Sequence, residues 1–201
     1  MYGQSQYGQS QGGQSQYGQY QYGQSQQQGP RADTNQLRGI FNNLDKNRSG
    51  KINATELQSA LSNGTWKPFN PDTVRLMINI FDRNRTGSIT FDEFVSLWNY
   101  INDWLKCFQN FDKDRSNSID KRELRDALSS FGYRLSEQTL DSMLMKYDKD
   151  RKGSINFDDY VLCCINLQTL TTAFQTHDTD RDGFITLGYE DFLKLGLSLN
   201  L

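Results

Sequence analysis

The sequence has little of the chemistry that catalytic or disulfide-bonded proteins need. It contains one histidine and three cysteines. No nucleophile–base pair is visible, so we expect no enzymatic activity. An odd number of cysteines, Cys107, Cys163 and Cys164, argues against a disulfide framework and favours a reducing compartment, with the cytoplasm as the default. We interpret the adjacent Cys163 and Cys164 as packed helical thiols, with acylation or redox chemistry as the alternative.

Long apolar runs and a strong excess of positive charge are also missing. Residues 1–30 lack the apolar core of a signal peptide, and the longest uncharged helical run, residues 160–176, carries Asn166, Gln168 and Gln175. We therefore expect no membrane span. The formal net charge of -2 argues against a large nucleic-acid surface.

Residues 1–30 contain no charged and no aliphatic side chain. They consist almost entirely of Gln, Gly, Tyr and Ser in YGQSQ-like repeats. Such a segment cannot bury a core, so we predict a disordered tail before a folded domain over residues 31–201. Self-association through tyrosine and glutamine, or a docking arm, is the alternative. Without Lys or Arg, the tail is poorly suited to nucleic acid.

Acidic loops with a fixed spacing of oxygen side chains dominate the rest of the chain. Asp112, Asp114, Ser116 and Glu123 occupy positions 1, 3, 5 and 12 of a twelve-residue loop. This spacing wraps a chain around a calcium ion with hard oxygen ligands, including the carbonyl at position 7. The sequence therefore predicts calcium binding here.

The same plan recurs five times, at residues 45–56, 82–93, 112–123, 148–159 and 178–189. Position 8 is Ile in all five loops, which predicts short two-stranded contacts between paired loops. Position 4 is Arg in all five loops. We interpret these arginines as a solvated face, and the alternative is that they tune the calcium affinity. The predicted calcium ligands of the first three loops are Asp45, Asn47, Ser49, Lys51, Glu56, Asp82, Asn84, Thr86, Ser88, Glu93, Asp112, Asp114, Ser116, Ser118 and Glu123.

The last two loops depart from the plan. In the fourth loop Lys152 brings an ammonium to position 5, and Asp159 at position 12 is one methylene short, so we interpret this loop as structural. The fifth loop has Tyr189 at position 12 and is predicted to be a weak site. Its candidate ligands are Asp178, Asp180, Asp182 and Phe184.

Amphipathic segments join the loops. Residues 94–111 are predicted to form one helix that leaves the second loop and leads into the third, and residues 157–177 do the same for the fourth and fifth loops. The fold class is therefore all-α, with five helix–loop–helix hands and short β contacts. We expect His177 to pack as Leu44, Phe81, Phe111 and Tyr147 do before the other loops.

Five hands in this order, with NGTWKPFNP, WNYINDW, SSFGYRLS and HDTDRDGFI as local strings, resemble the penta-EF-hand family, most of all its programmed-cell-death-six subgroup. The resemblance implies an ion-free fourth hand and a fifth hand that pairs with a second chain, as a homodimer or as a heterodimer with a related chain. It also implies a calcium-dependent adaptor for Pro-rich segments of membrane-trafficking or membrane-repair proteins. Asn117 departs from the usual glycine at position 6, but asparagine tolerates the left-handed backbone, so we expect this departure to weaken the third site without removing it.

Six residues are candidates for a partner pocket that calcium uncovers, with ordinary core packing as the alternative for the tryptophans. These are Trp66, Trp98, Trp104, Phe131, Tyr133 and Arg134. Two other functions stay open. If the chain is not an adaptor, it is either the regulatory subunit of a calcium-dependent enzyme or a passive calcium buffer. For an adaptor we expect a cytoplasmic protein that associates reversibly with membranes.

Overall fold

The computed structural model describes residues 33–61 and 68–199. The tail predicted over residues 1–30 and the pocket candidate Trp66 lie outside these residues. The helices are α1 (Thr34–Leu44), α2 (Ala54–Ala60), α3 (Pro71–Phe81), α4 (Phe91–Phe111), α5 (Lys121–Ser130), α6 (Glu137–Tyr147), α7 (Phe157–Gln175) and α8 (Tyr189–Ser198). The strands are β1 (Ile52–Asn53), β2 (Ser88–Ile89), β3 (Ile119–Asp120) and β4 (Ser154–Ile155).

The first four loops are paired by two-stranded antiparallel sheets. Strand β1 pairs with β2 so that Ile52 lies opposite Ile89, and β3 pairs with β4 so that Ile119 lies opposite Ile155. All four side chains are almost fully buried. The predicted role of the position-8 isoleucine is confirmed for these hands, because the same residue supplies a sheet partner and a core side chain.

Helix α4 is the predicted shared helix between the second and third hands. It begins after Thr90, whose side chain forms a reciprocal capping box with Glu93, and it continues for 21 residues to the third loop. Its buried face carries Phe94, Leu97, Trp104 and Phe108. Apolar residues recur at helical spacing along this face, so one continuous helix serves two loops.

Two compact units make up the chain, one ending at Leu167 and the other beginning at Gln168. The first contains the four paired loops and a core that includes Leu37, Phe69 and Tyr160. In the second, α8 has no buried residue. None of the helices in the described part of the chain is long and apolar enough to cross a membrane.

The cysteines behave as packed side chains. Cys163 and Cys164 are buried in α7, and Cys107 is half-buried. Burial raises the pKa of Cys163 to about 12 and that of Cys164 well above its ordinary value. Because the thiolate is the reactive form, these thiols are inert at neutral pH.

Candidate calcium sites

The third loop is held by hydrogen bonds from its own backbone to its acidic side chains. The Ser116 amide donates to Asp112 Oδ1 and to Asp114 Oδ1, each at 2.9 Å. The Asn117 amide donates to Asp112 Oδ2 at 3.0 Å, and Ser116 Oγ donates to the Ser118 carbonyl at 3.0 Å. The predicted ligands at positions 1, 3, 5 and 7 therefore surround one small space.

The first loop has the same internal bonds. The Ser49 amide donates to Asp45 Oδ1 at 2.8 Å and to Asn47 Oδ1 at 2.9 Å, and the Gly50 amide donates to Asp45 Oδ2 at 2.7 Å. Ser49 Oγ donates to the Lys51 carbonyl at 2.9 Å. Positions 1, 3, 5 and 7 are brought together here as well.

The second loop repeats most of this arrangement. The Gly87 amide donates to Asp82 Oδ2 at 2.6 Å, and Thr86 Oγ1 lies within hydrogen-bond distance of two acceptors, Asp82 Oδ1 at 3.4 Å and the Ser88 carbonyl at 3.1 Å. Asn84 is exposed at position 3. The structure thus brings positions 1, 5 and 7 together, and the exposure of Asn84 is shared by Asn47 and Asp114 at position 3 of the other two loops.

Position 12 joins each of these loops to the helix that follows it. In all three hands the glutamate is buried and forms a reciprocal capping box with the residue at position 9. The pairs are Asn53–Glu56, Thr90–Glu93 and Asp120–Glu123. Glu123 Oε1 also accepts from the Lys113 amide at 2.7 Å and Oε2 from the Asp120 amide at 3.0 Å.

Asp120 has a role that the spacing alone did not reveal. Its Oδ1 accepts from the Arg122 and Glu123 amides at 2.7 and 2.9 Å. It is the N-cap of α5, so its charge adds to the field of the site while its oxygen is bound to the helix. The capping-box spacing is the signal that identifies this role in the sequence.

The acidic side chains are ready to bind a cation. The backbone amide of Thr86 is the main influence that lowers the pKa of Asp82, and the positive charge of Lys51 adds a smaller effect. The Ser116 hydroxyl and amide lower the pKa of Asp114. Both carboxyl groups are ionised at neutral pH, as ligands of a hard cation must be.

Left-handed residues make the turn in every loop. Position 6 has φ between 60° and 87°, with glycine in four loops and Asn117 in the third. The expectation that Asn117 adopts this conformation is confirmed. The position-4 arginines are exposed and also left-handed, namely Arg48, Arg85, Arg115, Arg151 and Arg181.

The fourth hand uses its acidic end for a different purpose. Asp159 Oδ1 accepts from Asn70 Nδ2 at 2.7 Å, and Asp158 Oδ2 accepts from the Asn70 amide at 2.6 Å. Thr73 Oγ1 donates to the Asp158 carbonyl at 3.2 Å. Burial raises the pKa of Asp159, and the Lys149 ammonium lies 3.7 Å from it. The position-12 carboxylate therefore anchors the start of α3.

The fifth loop brings three carboxylates together. Oxygens of Asp178, Asp180 and Asp182 lie within 4.8 Å of one another, as do those of Asp112, Asp114 and Glu123 in the third loop. The Phe184 amide donates to Asp182 Oδ1 at 2.8 Å, and the Phe184 side chain is 79% exposed. Glu190 lies in the first turn of α8.

The expectation for His177 is wrong. Its side chain is exposed, and Nδ1 lies 3.0 Å from the Ala173 carbonyl oxygen. The four counterparts before the other loops are the last residues of their helices, whereas α7 ends at Gln175. His177 therefore lies in the turn beyond the helix and does not reach a core position.

The predicted pocket residues have different surroundings. Trp104 and Phe131 are buried, Trp98 and Tyr133 are half-buried, and Arg134 is exposed. The ring centroids of Trp104 and Tyr160 are 5.9 Å apart, those of Trp98 and Phe94 are 5.7 Å apart, and those of Phe131 and Phe111 are 5.9 Å apart. A pocket at Phe131 therefore requires a helix movement that separates it from Phe111.

Sequence reasoning did not find a cavity of about 380 Å³ beside the fourth loop. Among the described residues its wall consists of the connector before α3 and the fourth loop, including Phe69, Tyr147, Lys149 and Asp159. None of the predicted pocket residues that the structure describes lines it, so it lies at a different place from the predicted pocket. The connector before α3 and the fourth loop are far apart in the sequence, so no local sequence pattern indicates this cavity.

Paired loops with all-oxygen ligands, joined through shared helices, define a calcium-binding protein of the EF-hand class. The family model for an EF-hand domain pair matches residues 34–98 and 101–162. On these matches and the relatives below, the chain belongs to the penta-EF-hand family, and it binds Ca²⁺. The buried carboxylates and the carbonyls at position 7 fit this ion, because calcium takes oxygen ligands only.

Several known proteins are similar to the chain. Sorcin of Schistosoma japonicum is 47% identical over 161 residues, covering 80% of this chain and 94% of that protein. Grancalcin of Homo sapiens is 41% identical over 151 residues, covering 73% and 69%. A solved homologue of programmed cell death 6 protein from Leishmania major Friedlin has a TM-score of 0.70 and 35% identity, covering 81% of this chain and 92% of that one.

Replacing Glu123 tests the proposed ligands of the third hand. We expect the third hand to bind calcium most tightly, because its ligand positions carry three carboxylates and those of the first and second hands carry two each. Glu123→Gln should therefore weaken the tightest calcium-binding event by about 100-fold, because it removes the carboxylate at position 12. Titration calorimetry measures this event. Glu137→Gln is the control, since Glu137 is an exposed partner of Lys121 and Arg125. Survival of the tightest event in Glu123→Gln would show that another hand supplies it.

Replacing Asp159 tests the structural role of the fourth hand. We expect Asp159→Ala to lower the free energy of unfolding in chelator by about 1–3 kcal/mol, because the buried Asn70 amide loses its acceptor. The number of calcium events should not change. Asp150→Ala, at position 3 of the same loop, should change stability by no more than about 0.5 kcal/mol. Urea unfolding and calorimetry give the two readouts, and a lost calcium event in Asp159→Ala would contradict the assignment.

Proposed function

We propose that the chain is a calcium sensor and adaptor that uncovers an apolar pocket for Pro-rich segments of membrane-trafficking or membrane-repair proteins. One observation carries the proposal. Glu123, at the end of the third loop, lies in the first turn of α5, and the other end of this helix is Phe131. The calcium ligand and the candidate pocket are therefore two ends of one short helix.

The far end of α5 is a rigid connection. The Tyr133 amide donates to the Leu128 carbonyl at 2.9 Å, and the Gly132 amide donates to the Ser129 carbonyl at 3.0 Å, with Gly132 at φ 87°. These two bonds form a Schellman motif. A movement of α5 is therefore passed to Tyr133 without being absorbed by a loose loop.

The near end of the pocket lies against the incoming helix of the same hand. Phe111 is the last residue of α4, and its ring meets the Phe131 ring edge to face. Calcium loading of sensor hands changes the angle between the two helices that flank the loop. Such a change separates Phe111 from Phe131 and exposes apolar surface beside the exposed Arg134.

The energetic requirement is moderate. Changing a two-state population from 1:99 to 99:1 needs about 5.5 kcal/mol of differential affinity, which two sites share at less than about 3 kcal/mol each. A Pro-rich segment suits the exposed rings, because a preformed polyproline helix loses little entropy on binding. For such an adaptor we propose a cytoplasmic location with calcium-dependent recruitment to membranes.

The fifth hand is proposed to join two copies of the chain, or the chain and a related one. Phe184, Phe192 and Leu197 are 79%, 60% and 84% exposed. In the described residues four loops are paired through β strands, whereas the fifth loop around Ile185 forms no strand. The fifth hand of a second chain would cover the exposed apolar face of α8 and would also provide a strand partner for the fifth loop.

Dye and peptide binding test the adaptor proposal. We expect calcium to increase the fluorescence of an apolar dye, to change tryptophan emission, and to allow a Pro-rich peptide to bind. Each effect should weaken strongly in Glu123→Gln and persist in Glu137→Gln. Equal binding of dye and peptide in chelator would instead identify a passive buffer.

Light scattering after chromatography tests the dimer. At micromolar concentration we expect twice the chain mass of 23.2 kDa. Phe192→Asp should give the monomer mass, because it places a charge on the exposed apolar face of α8. Lys194→Gln changes the charge at an exposed position of the same helix and should remain dimeric. A monomeric unmodified chain would exclude this assembly.

A further inference from the structure

Lys51 belongs to two calcium loops at once. Its carbonyl is the position-7 oxygen of the first loop and accepts from Ser49 Oγ at 2.9 Å. Its side chain crosses to the second loop, where Nζ lies 3.4 Å from Thr86 Oγ1. One residue thus supplies an oxygen to one site and a positive charge to its neighbour.

The ammonium lies close to where the second ion would bind. Thr86 Oγ1 is the predicted position-5 ligand, and it lies 3.4 Å from Asp82 Oδ1 and 3.1 Å from the Ser88 carbonyl. Lys51 is therefore one hydroxyl group away from the oxygens at positions 1 and 7. A calcium ion in this loop must displace the ammonium from Thr86 or bear its repulsion.

The sheet between the loops keeps Lys51 in reach of Thr86. Lys51 directly precedes β1, whose pairing with β2 sets Ile52 opposite Ile89 and Asn53 opposite Ser88. Ile52 and Ile89 are fully buried, so the strand cannot rotate the neighbouring side chain away. Only the rotamers of the lysine are free to vary.

The other loop pair has no lysine at position 7. This position is Ser118 in the third loop and Ser154 in the fourth. The third hand therefore receives no ammonium from position 7 of its paired loop. This difference separates two hands whose internal hydrogen bonds are otherwise similar.

We propose that Lys51 sets the calcium affinity of the second hand by placing a positive charge against its position-5 ligand. The proposal rests on the ligand set proposed above for that hand. In the ion-free state Lys51 bonds to Thr86, and it withdraws as calcium enters. The second hand consequently fills at a higher calcium concentration than its own oxygens would require.

The test measures each hand separately in the full chain, with calcium itself as the probe. The amides of Gly50, Gly87 and Asn117 donate to the position-1 carboxylates of the first, second and third loops at 2.7, 2.6 and 3.0 Å. Their NMR resonances therefore report ion binding loop by loop. The variants are Lys51→Met, which keeps length without charge, and Lys51→Arg, which keeps the charge.

Removing the charge should tighten the second hand. In about 10 mM salt we expect Lys51→Met to lower the calcium concentration at half-change of Gly87 by about three- to tenfold, which is the Coulomb effect of one charge several ångströms from a divalent ion. Asn117 should change by less than about twofold, and Lys51→Arg should resemble the unmodified chain. At about 0.15 M salt the gain should shrink, because the Debye length falls to about 8 Å.

Lys46→Met is the matched control, since it removes the same charge from exposed position 2 of the same loop. A similar gain in Lys46→Met and Lys51→Met would overturn the proposal in favour of net charge alone. An unchanged Gly87 titration in Lys51→Met would also overturn it. If Gly87 shows no calcium response in any variant while Asn117 does, the ligand set of the second hand is wrong, and the proposal falls with it.

Discussion

The buried glutamate at position 12 is the interaction on which the other features depend. In each of the first three hands it closes the loop and also caps the helix that follows. A buried carboxylate is stable only when hydrogen bonds or a cation compensate for its lost hydration. Glu123 accepts hydrogen bonds from the Lys113 and Asp120 amides through its two carboxylate oxygens. In the site that we propose, a calcium ion would bind the same two oxygens, so that ligation would move the first turn of α5 together with the carboxylate.

The features that the sequence predicted correctly depend on local chemistry. Loop spacing, the position-8 isoleucines and the shared helix α4 all follow from residues close together in the chain. Asn117 has the left-handed backbone because a twelve-residue loop needs that turn at position 6, and asparagine tolerates it. Asp159 at position 12 of the fourth loop predicted a structural hand, and its hydrogen bond to Asn70 is in keeping with that role, while the absence of an ion from this hand stays a prediction.

The features that it missed depend on distant partners or on where a helix ends. Asp159 meets Asn70 across 89 residues, and the Lys51 side chain meets Thr86 across 35, so neither contact has a local signature. His177 was misjudged because α7 ends two residues early, a boundary that periodicity does not define. The burial of Trp104 could not be predicted from its local sequence, because its ring packs against Tyr160 in α7, which is distant in the chain.

Because α5 ends in a Schellman motif, the displacement of its far end can be calculated from its length and its tilt. Ten residues at about 1.5 Å per residue give an arm of about 15 Å between the third loop and Tyr133. A tilt of about 10° at the loop then displaces the far end by about 2.6 Å. A gap of about 0.5–1 Å already removes about a quarter to a half of the attraction between packed atoms, and a larger gap removes more. In the adaptor mechanism that we propose, a small tilt of α5 at Glu123 would therefore be enough to separate Phe131 from Phe111.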